Sequence, residues 1–376
     1  MTLTTLVLSL IACGGDKGET GEDTSAGTVD TSTSITDTSS TGDSVHIEEL
    51  YPPFGPVAGG TVVTISGGPF GQVDGVSFDG EAAEVLSVGE EAIEVRTPEM
   101  STLGNVDVMV TTEAGSGETN FRTLDRPDRT GVVTAAGILE SGHYYGNYWA
   151  PSAVDYHSLF YRPVKADRGI GVAAVFGHEL DACQDDLAWD DVYPAATPVS
   201  EGVEVFNSQT STEIPWESDD EAYSGEVEQR IPEGGEMIDI AFPESDQNPE
   251  FILRSAAVGS APFTFSSTPS FPFTELGYFE KGDITLEWDA PGAFGMALRV
   301  RTVDMGSGNP VEQTWCLLEN DGEYTIPASM WKEWDDSLWL MLSIGSITEH
   351  DTVLPWNNST NAMASVRFLH HIAVTE

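Results

Sequence analysis

Six carboxylates are concentrated around one cysteine near the middle of the sequence. Within 13 residues, this stretch contains Glu179, Asp181, Asp185, Asp186, Asp190 and Asp191. Such oxygens could bind Ca²⁺, which takes about six to eight hard ligands from flexible loops. The spacing does not match an EF-hand, and a chain with 62 acidic residues produces such clusters readily. We interpret the stretch as a solvated acidic loop, with a structural Ca²⁺ site as the alternative and no other cofactor expected.

A second cluster combines aromatic rings with amide and hydroxyl groups between residues 143 and 156. Its candidates for a binding surface are Tyr144, Tyr145, Tyr148 and Trp149. Aromatic side chains with polar neighbours can hold carbohydrate or protein surfaces. Packing inside an irregular core segment is the interpretation that we favour, and ligand binding is the alternative.

The catalytic motifs that the sequence suggests lack the context that their chemistry requires. Gly169–Ala174 matches the letters of a dinucleotide-binding fingerprint, but a charged loop precedes it and a Val-rich strand follows it. His178-Glu179 begins like a zincin motif, whereas position 182 is alanine and the second ligand is missing. His370 and His371 would face opposite sides of a strand, which makes a poor chelate. We therefore predict that the chain is not an enzyme.

The amino terminus carries a motif that could direct a covalent modification. Residues 1–12 form a short apolar run that ends in the small Ala12, and Cys13 follows. Leu10-Ile11-Ala12-Cys13 resembles the lipobox of bacterial lipoproteins, which implies cleavage before Cys13 and transfer of a diacylglycerol to its thiol. On this resemblance, residues 1–12 are a signal peptide and Cys13 is the lipidation site.

Residues 13–44 are predicted to be a disordered linker that begins at the lipidated cysteine. Residues 14–44 contain 14 Ser or Thr, seven acids and one lysine, with almost no large apolar side chain. Such a segment cannot bury a core, and charge repulsion keeps it solvated and extended. The arrangement is typical of a surface-anchored protein whose modules are held away from the lipid.

The remaining cysteines, Cys183 and Cys316, lie in β-rich sequence. In an exported protein they predict a disulfide that closes a loop of roughly 130 residues and stabilises the fold by about 4–5 kcal/mol in the chain-entropy description. Two separate buried thiols are the alternative.

From residue 46 onward, short β-rich runs alternate with Gly and Pro clusters at the spacing of a sandwich. These runs are 62–65, 76–78, 93–95 and 106–110. Together with Gly59-Gly60-Thr61 and Thr97-Pro98, they resemble an IPT/TIG domain. The resemblance implies an immunoglobulin-like sandwich over residues 45–124 that serves as a spacer or protein-binding module and has no catalytic residue. We interpret Phe54 and Phe70 as core-packing residues rather than as binding aromatics.

A polar hinge at residues 125–129 is predicted to precede a larger β-rich region, residues 130–376. Its predicted strands cover 171–176, 203–206, 237–242, 284–288 and 298–303. The turn Asn320-Asp321-Gly322 predicts a hairpin between residues 315–318 and 324–326. A short helical turn is expected at 328–334. We expect this region to form one or two β-sandwiches.

The last 100 residues resemble a group of secreted or lipid-anchored proteins from myxobacteria and their relatives. The resemblance rests on Leu286-x-Trp288, on a cysteine before an Asp-Gly turn and on residues 324–328. It implies that the protein is located outside the cell, but it implies no particular activity.

The chain is strongly acidic throughout its length. It has 62 Asp and Glu against 15 Lys and Arg, a net charge of −47. The excess is −6 in residues 14–44, −12 in residues 45–125 and −29 in residues 126–376. Nucleic acids are excluded as partners because phosphate neutralisation needs clustered Lys and Arg. An acidic surface of this kind indicates a role in solubility rather than a binding site.

The sequence predicts an all-β, multidomain protein: an immunoglobulin-like IPT/TIG sandwich followed by a larger β-sandwich-type region. We expect it to be lipid-anchored in the cell envelope, at the outer membrane or cell surface of a Gram-negative bacterium. Its expected role is binding, adhesion or scaffolding. The expected partners are the membrane through Cys13 and a surface protein or glycan.

The leading alternative function is a secreted or surface hydrolase acting on glycans, with the IPT/TIG module as a spacer. A carbohydrate-binding C-terminal region without catalysis is the third possibility. A hydrolase needs two carboxylates about 5–10 Å apart in a cleft, whereas an adhesin needs only a flat or aromatic surface.

Overall fold

Alternation of apolar and polar side chains builds the described part of this protein almost entirely from β-strands. The computed structural model describes residues 45–130, 133–144, 154–163, 180–184, 200–208, 211–218, 222–226, 235–245, 248–268, 277–279, 281–304, 310–331, 333–334 and 339–375. The signal peptide, Cys13 and the linker predicted over residues 1–44 lie outside these ranges. Within them, no helix is both long and apolar enough to cross a membrane.

The first part of the described chain contains nine strands. They are β1 (Ile47–Tyr51), β2 (Phe54–Pro56), β3 (Val62–Gly67), β4 (Val73–Phe78), β5 (Glu81–Ala82), β6 (Glu84–Val88), β7 (Ala92–Arg96), β8 (Gly104–Thr112) and β9 (Gly115–Leu124). One sheet has the order β1-β3-β7-β6, and the other has the order β2-β9-β8-β4-β5.

The two sheets enclose one apolar core. Every second side chain of β8 from Val106 to Thr112 is buried. The three valines among them pack with Phe78, Phe121 and the valines and isoleucines of β3 and β7. Phe70 joins this core, as predicted. The turn before β3 uses Gly59 and Gly60, whose φ values are +78° and +87°. A Cβ on Gly59 would lie 2.4 Å from the carbonyl oxygen of Pro98, so only glycine fits there.

The C-terminal region adds sixteen strands in the described residues. They are β10 (Val133–Tyr144), β11 (Val154–Pro163), β12 (Ala182–Gln184), β13 (Gly202–Phe206), β14 (Ser211–Glu217), β15 (Ala222–Glu226), β16 (Met237–Phe242), β17 (Phe251–Val258), β18 (Thr264–Thr268), β19 (Gly277–Phe279), β20 (Ile284–Asp289), β21 (Gly295–Val303), β22 (Pro310–Glu319), β23 (Glu323–Ile326), β24 (Trp339–Leu354) and β25 (Ser359–Thr375).

One large sheet contains thirteen of the sixteen described strands of the C-terminal region. Its order is β12-β22-β21-β24-β25-β10-β11-β15-β14-β13-β16-β17, and β19 pairs with β25. The long strands β24 and β25 form an antiparallel hairpin at its centre, and β10 runs parallel to β25. A smaller sheet, β18-β20-β23, packs against one face of β21, β22 and β24. The fold is therefore all-β and sandwich-type, as predicted.

The predicted strands in this region are confirmed at 203–206, 237–242, 284–288 and 298–303. The run at 171–176 lies outside the described residues. The short helical turn is present as a 3₁₀ helix at Ala328–Met330, next to the fully buried Trp331.

The hairpin predicted around Asn320 is wrong. Strand β22 pairs with β21 and β12, whereas β23 pairs with β20 in the smaller sheet. The turn therefore carries the chain from one sheet to the other. Asn320 stabilises this connection between the two sheets. Its side chain accepts a hydrogen bond from Trp288 Nε1 at 3.1 Å and donates one to the carbonyl of Ala290 at 2.8 Å.

Candidate functional site

The structure pairs the two cysteines of the C-terminal region. Cys183 and Cys316 lie opposite each other on β12 and β22 and are joined by a disulfide with an S–S distance of 2.05 Å. The bond fastens the short edge strand β12 to the large sheet. It closes the loop that the sequence predicted and leaves neither thiol available for chemistry.

Most residues of the acidic and aromatic clusters fall outside the described residues. Of the six carboxylates, the structure describes Asp181, whose Oδ1 accepts a hydrogen bond from the Glu319 N–H at 3.0 Å. Glu179, Asp185, Asp186, Asp190 and Asp191 lie outside. Tyr144 ends strand β10, and Tyr145, Tyr148 and Trp149 follow outside the described part. In the described ranges, no three His, Cys, Asp or Glu side chains are grouped to hold a metal ion.

One of the two adjacent histidines on β25 has a packing role. His370 is buried, and its Nδ1 lies 2.8 Å from the hydroxyl of Ser343 on β24. A polar group inside a sheet needs such a partner. We assign His370 to packing of the central hairpin.

Contacts between the first sandwich and the C-terminal region form what we call the joint. At its first contact, the Tyr51 hydroxyl accepts the Arg254 N–H at 2.8 Å and donates to the carbonyl of Ile252 at 3.3 Å. Both groups lie on β17, the edge strand of the large sheet. A single phenol therefore satisfies two backbone groups of an exposed strand edge, which would otherwise be open to pairing.

Side chains reinforce this contact. Phe54 packs edge-on against Phe251 with ring centroids 5.0 Å apart, and it is buried in the core of the C-terminal region. The Arg254 guanidinium lies 4.5 Å from the centre of the Tyr51 ring and forms an ion pair with Glu49. Burial raises the pKa of the Tyr51 phenol, although the Arg254 N–H and the Arg254 charge oppose the shift.

The joint has a second contact at the tip of the central hairpin. The Asn358 amide donates to the Gly59 carbonyl at 3.0 Å and to Asp128 Oδ1 at 3.1 Å, and its oxygen accepts from Thr61 Oγ1 at 2.8 Å. The Arg129 N–H donates to the carbonyl of Asn357 at 2.8 Å. Residues 125–129, which we predicted as a hinge, are therefore bonded to the C-terminal region.

Strand β6 forms the open edge of the first sandwich, residues 84–88. It pairs with β7 on one side, and no other described strand pairs with its outer side. All five of its residues are exposed, and Val85, Leu86 and Val88 are 37%, 40% and 47% accessible. A strand edge without a partner strand keeps backbone groups that can pair with another strand.

The open edge has an ordered polar face. The Arg96 Nε lies 3.2 Å from Glu84 Oε2, and Ser87 donates to Glu94 Oε2 at 3.0 Å. These side chains of β6 and β7 face solvent, opposite the core. The polar groups therefore occupy one face of the edge and the valines the other.

A shallow depression of about 380 Å³ lies on β13, β16 and β17 of the C-terminal region. Glu204, Ala241 and Ile252 are cross-strand neighbours across its floor. Glu204 accepts a hydrogen bond from Ser211, and Glu250 supplies a second carboxylate to the lining. Ile252 also belongs to the joint through its carbonyl.

The sequence patterns did not identify the joint, the open edge or the depression. Strand β6 has no clear alternation of polar and apolar residues that could have distinguished an edge from a buried strand. Glu204 and Ile252 lie within ordinary strand patterns. The contacts of Tyr51 with β17 join residues 201 and 203 positions apart, which leaves no local signal.

Comparison with known families identifies the first sandwich. The profile of the IPT/TIG domain matches residues 46–123. Residues 46–123 form an IPT/TIG domain. This confirms the resemblance drawn from the sequence, and such a domain indicates a binding or scaffolding role. No curated protein sequence matches the chain.

Several solved structures share limited similarity with the chain. A γ-CGTase from Alkalophilic bacillus clarkii is 19% identical over 35% of this chain and 25% of its own, with a TM-score of 0.20. The extracellular region of plexin A4 is 13% identical over 75% of this chain and 21% of its own, with a TM-score of 0.24. Titin domains A168–A170 are 7% identical over 88% and 99%, with a TM-score of 0.18. The chain thus spans about a quarter or less of the first two proteins, and these TM-scores support no argument about function.

Proposed function

We propose that this chain is a lipid-anchored protein of the cell envelope that acts by binding or scaffolding. The observation that carries the binding role is the open edge of the IPT/TIG domain, where Val85, Leu86 and Val88 are exposed on a strand with a free side. The joint supports this role because it holds the domain on the C-terminal region in a fixed orientation. The lipobox resemblance at Cys13 supports the anchor.

The anchor is tested by the variant Cys13→Ser. Without a thiol to receive the diacylglycerol, the protein should move from the membrane fraction to the soluble fraction of cells that express it. The linker variant Ser25→Ala is the control and should stay with the membrane. Retention of Cys13→Ser in the membrane fraction would contradict the lipid anchor.

A glycan hydrolase is a second candidate because Glu204 and Glu250 both line the depression. Most glycoside hydrolases use a pair of carboxylates. The test is the release of reducing ends from surface polysaccharides by the full chain, with Glu204→Gln and Glu250→Gln as variants. We expect no release by the unmodified chain. Release that either variant abolishes would establish the hydrolase instead of the binding protein.

A further inference from the structure

Two of the described strand edges are treated in opposite ways. On β17 of the large sheet, the hydroxyl of Tyr51 occupies a backbone N–H and a backbone carbonyl of the edge. On β6 of the IPT/TIG domain, no described strand pairs with the outer side. A free edge of this kind is a template for pairing with another strand.

The hydrophobic core of the IPT/TIG domain is open at this edge. Two cross-strand rows reach β6: Val63, Val95 and Val85 form one, and Ile65, Ile93 and Val88 form the other. The first two members of each row are 0% exposed, whereas Val85 and Val88 are 37% and 47% exposed. A strand added beside β6 would continue both rows and remove these valines from water.

The charge around the edge selects the kind of strand that can be added. Glu81, Glu84, Glu90 and Glu91 are exposed on and beside β6, and residues 81–91 contain no Lys or Arg. Arg96 on the neighbouring β7 pairs with Glu84, so the charge of the edge stays negative overall. A second copy of the chain would bring the same acids to the new pair, and like charges across a ladder are destabilising. A basic strand would meet opposite charges instead.

We propose that the open edge binds an extended, basic segment of a partner protein as an additional strand beside β6. Alternate apolar side chains of the segment would cover Val85 and Val88, and Lys or Arg on its other face would meet Glu84 and its acidic neighbours. The inference rests on the proposed binding function and specifies the partner of that same surface. The register irregularity between Val85 and Ser87 limits the regular ladder to a few residues.

The probe is a synthetic peptide of about nine residues in which Val and Lys alternate, a length typical of a strand. It is added to the full chain, and binding is followed by fluorescence anisotropy together with hydrogen exchange of the β6 amides. We expect the peptide to bind and to slow exchange in residues 84–88. An alternating Val–Glu peptide, and a Val–Lys peptide with a central proline, should not bind because they lack charge complementarity or ladder hydrogen bonds.

The variant Leu86→Lys places a positive charge on the edge and should weaken binding of the Val–Lys peptide by about tenfold. Leu103→Lys is the matched control, because Leu103 is also exposed but precedes β8 in the opposite sheet. It should bind as the unmodified chain does. Salt at about 0.5 M should weaken binding as well.

Three results would overturn the inference: no binding, binding without protection of residues 84–88, or equal binding of the Val–Glu peptide. Protection of β6 by dimerisation of the chain in the absence of peptide would assign the edge to a second copy and also overturn it. None of these results bears on the lipid anchor, because fractionation of Cys13→Ser tests the anchor independently.

Discussion

At the scale of residues, Asn358 connects two parts of the chain that are almost 300 positions apart. Its side chain is buried and makes three hydrogen bonds, to Gly59, Thr61 and Asp128. Its backbone has a φ of +52°, a conformation that asparagine tolerates better than most residues. Both the side chain and the backbone therefore favour asparagine here, and each contribution can be measured.

We expect Asn358→Ala to lower the free energy of unfolding by about 2–3 kcal/mol, since it leaves buried partners unpaired and puts alanine at a positive φ, which alanine tolerates less well than asparagine. Asn358→Gly removes the same hydrogen bonds without the backbone penalty, so its effect should be smaller by about 1 kcal/mol. Urea denaturation of both variants measures the difference. Equal losses in the two variants would argue against the backbone contribution.

Among the elements, two edge strands of the large sheet are protected by unrelated means. β17 is capped by a tyrosine from the neighbouring domain, and β12 at the opposite end of the large sheet is covalently bonded to β22. β12 contains only three residues and pairs with one strand of the described chain. Its position therefore depends strongly on the disulfide.

Replacing both Cys183 and Cys316 by serine should lower the free energy of unfolding by about 4 kcal/mol, because the unfolded chain regains the entropy of a large loop. The closed loop corresponds to a sequence separation of 133 residues. Urea denaturation of the oxidised protein and of the double variant gives the comparison. A thiol assay under denaturing, non-reducing conditions is the control, and two reactive thiols in the C-terminal region would contradict the bond.

At the scale of the whole molecule, the joint determines how the IPT/TIG domain is presented. It combines an aromatic contact, a capped strand edge and the polar contacts of Asn358. Asp128 is its titratable member at the hairpin tip. Burial opposes ionisation of Asp128, but hydrogen bonds from Thr130, Asn358 and the Arg129 N–H outweigh it and lower the pKa of this carboxyl.

The joint should weaken in acid. A carboxyl whose pKa is lower in the folded than in the unfolded state stabilises the fold fully above the unfolded value, and this stabilisation disappears as the pH falls through the folded value. We expect Asp128→Asn to be less stable than the unmodified protein by a constant amount above about pH 5, and the difference to shrink below about pH 4. Urea denaturation across this range measures it, and a difference that stays constant down to about pH 3 would contradict the assignment.

The strands and the domain family could be predicted because their signals are local. The runs at 62–65 and 106–110, the Gly59-Gly60 turn and the order of the IPT/TIG motifs lie within short stretches of sequence, and the structure and the family match confirm them. The hairpin at Asn320 was mispredicted because a turn sequence fixes the reversal of the chain but not the strand with which the next segment pairs.

The sequence by itself determined the strand content, the IPT/TIG domain and the acidity of every segment, because these follow from composition and from period-two patterns. The tertiary structure alone decided that Tyr51 caps β17, that Asn358 bonds to Thr61 and that β6 is left open. These outcomes depend on which edges meet across separations of 201 and 297 residues. Every strand carries backbone groups able to pair, so only the packed arrangement selects which of them remain free.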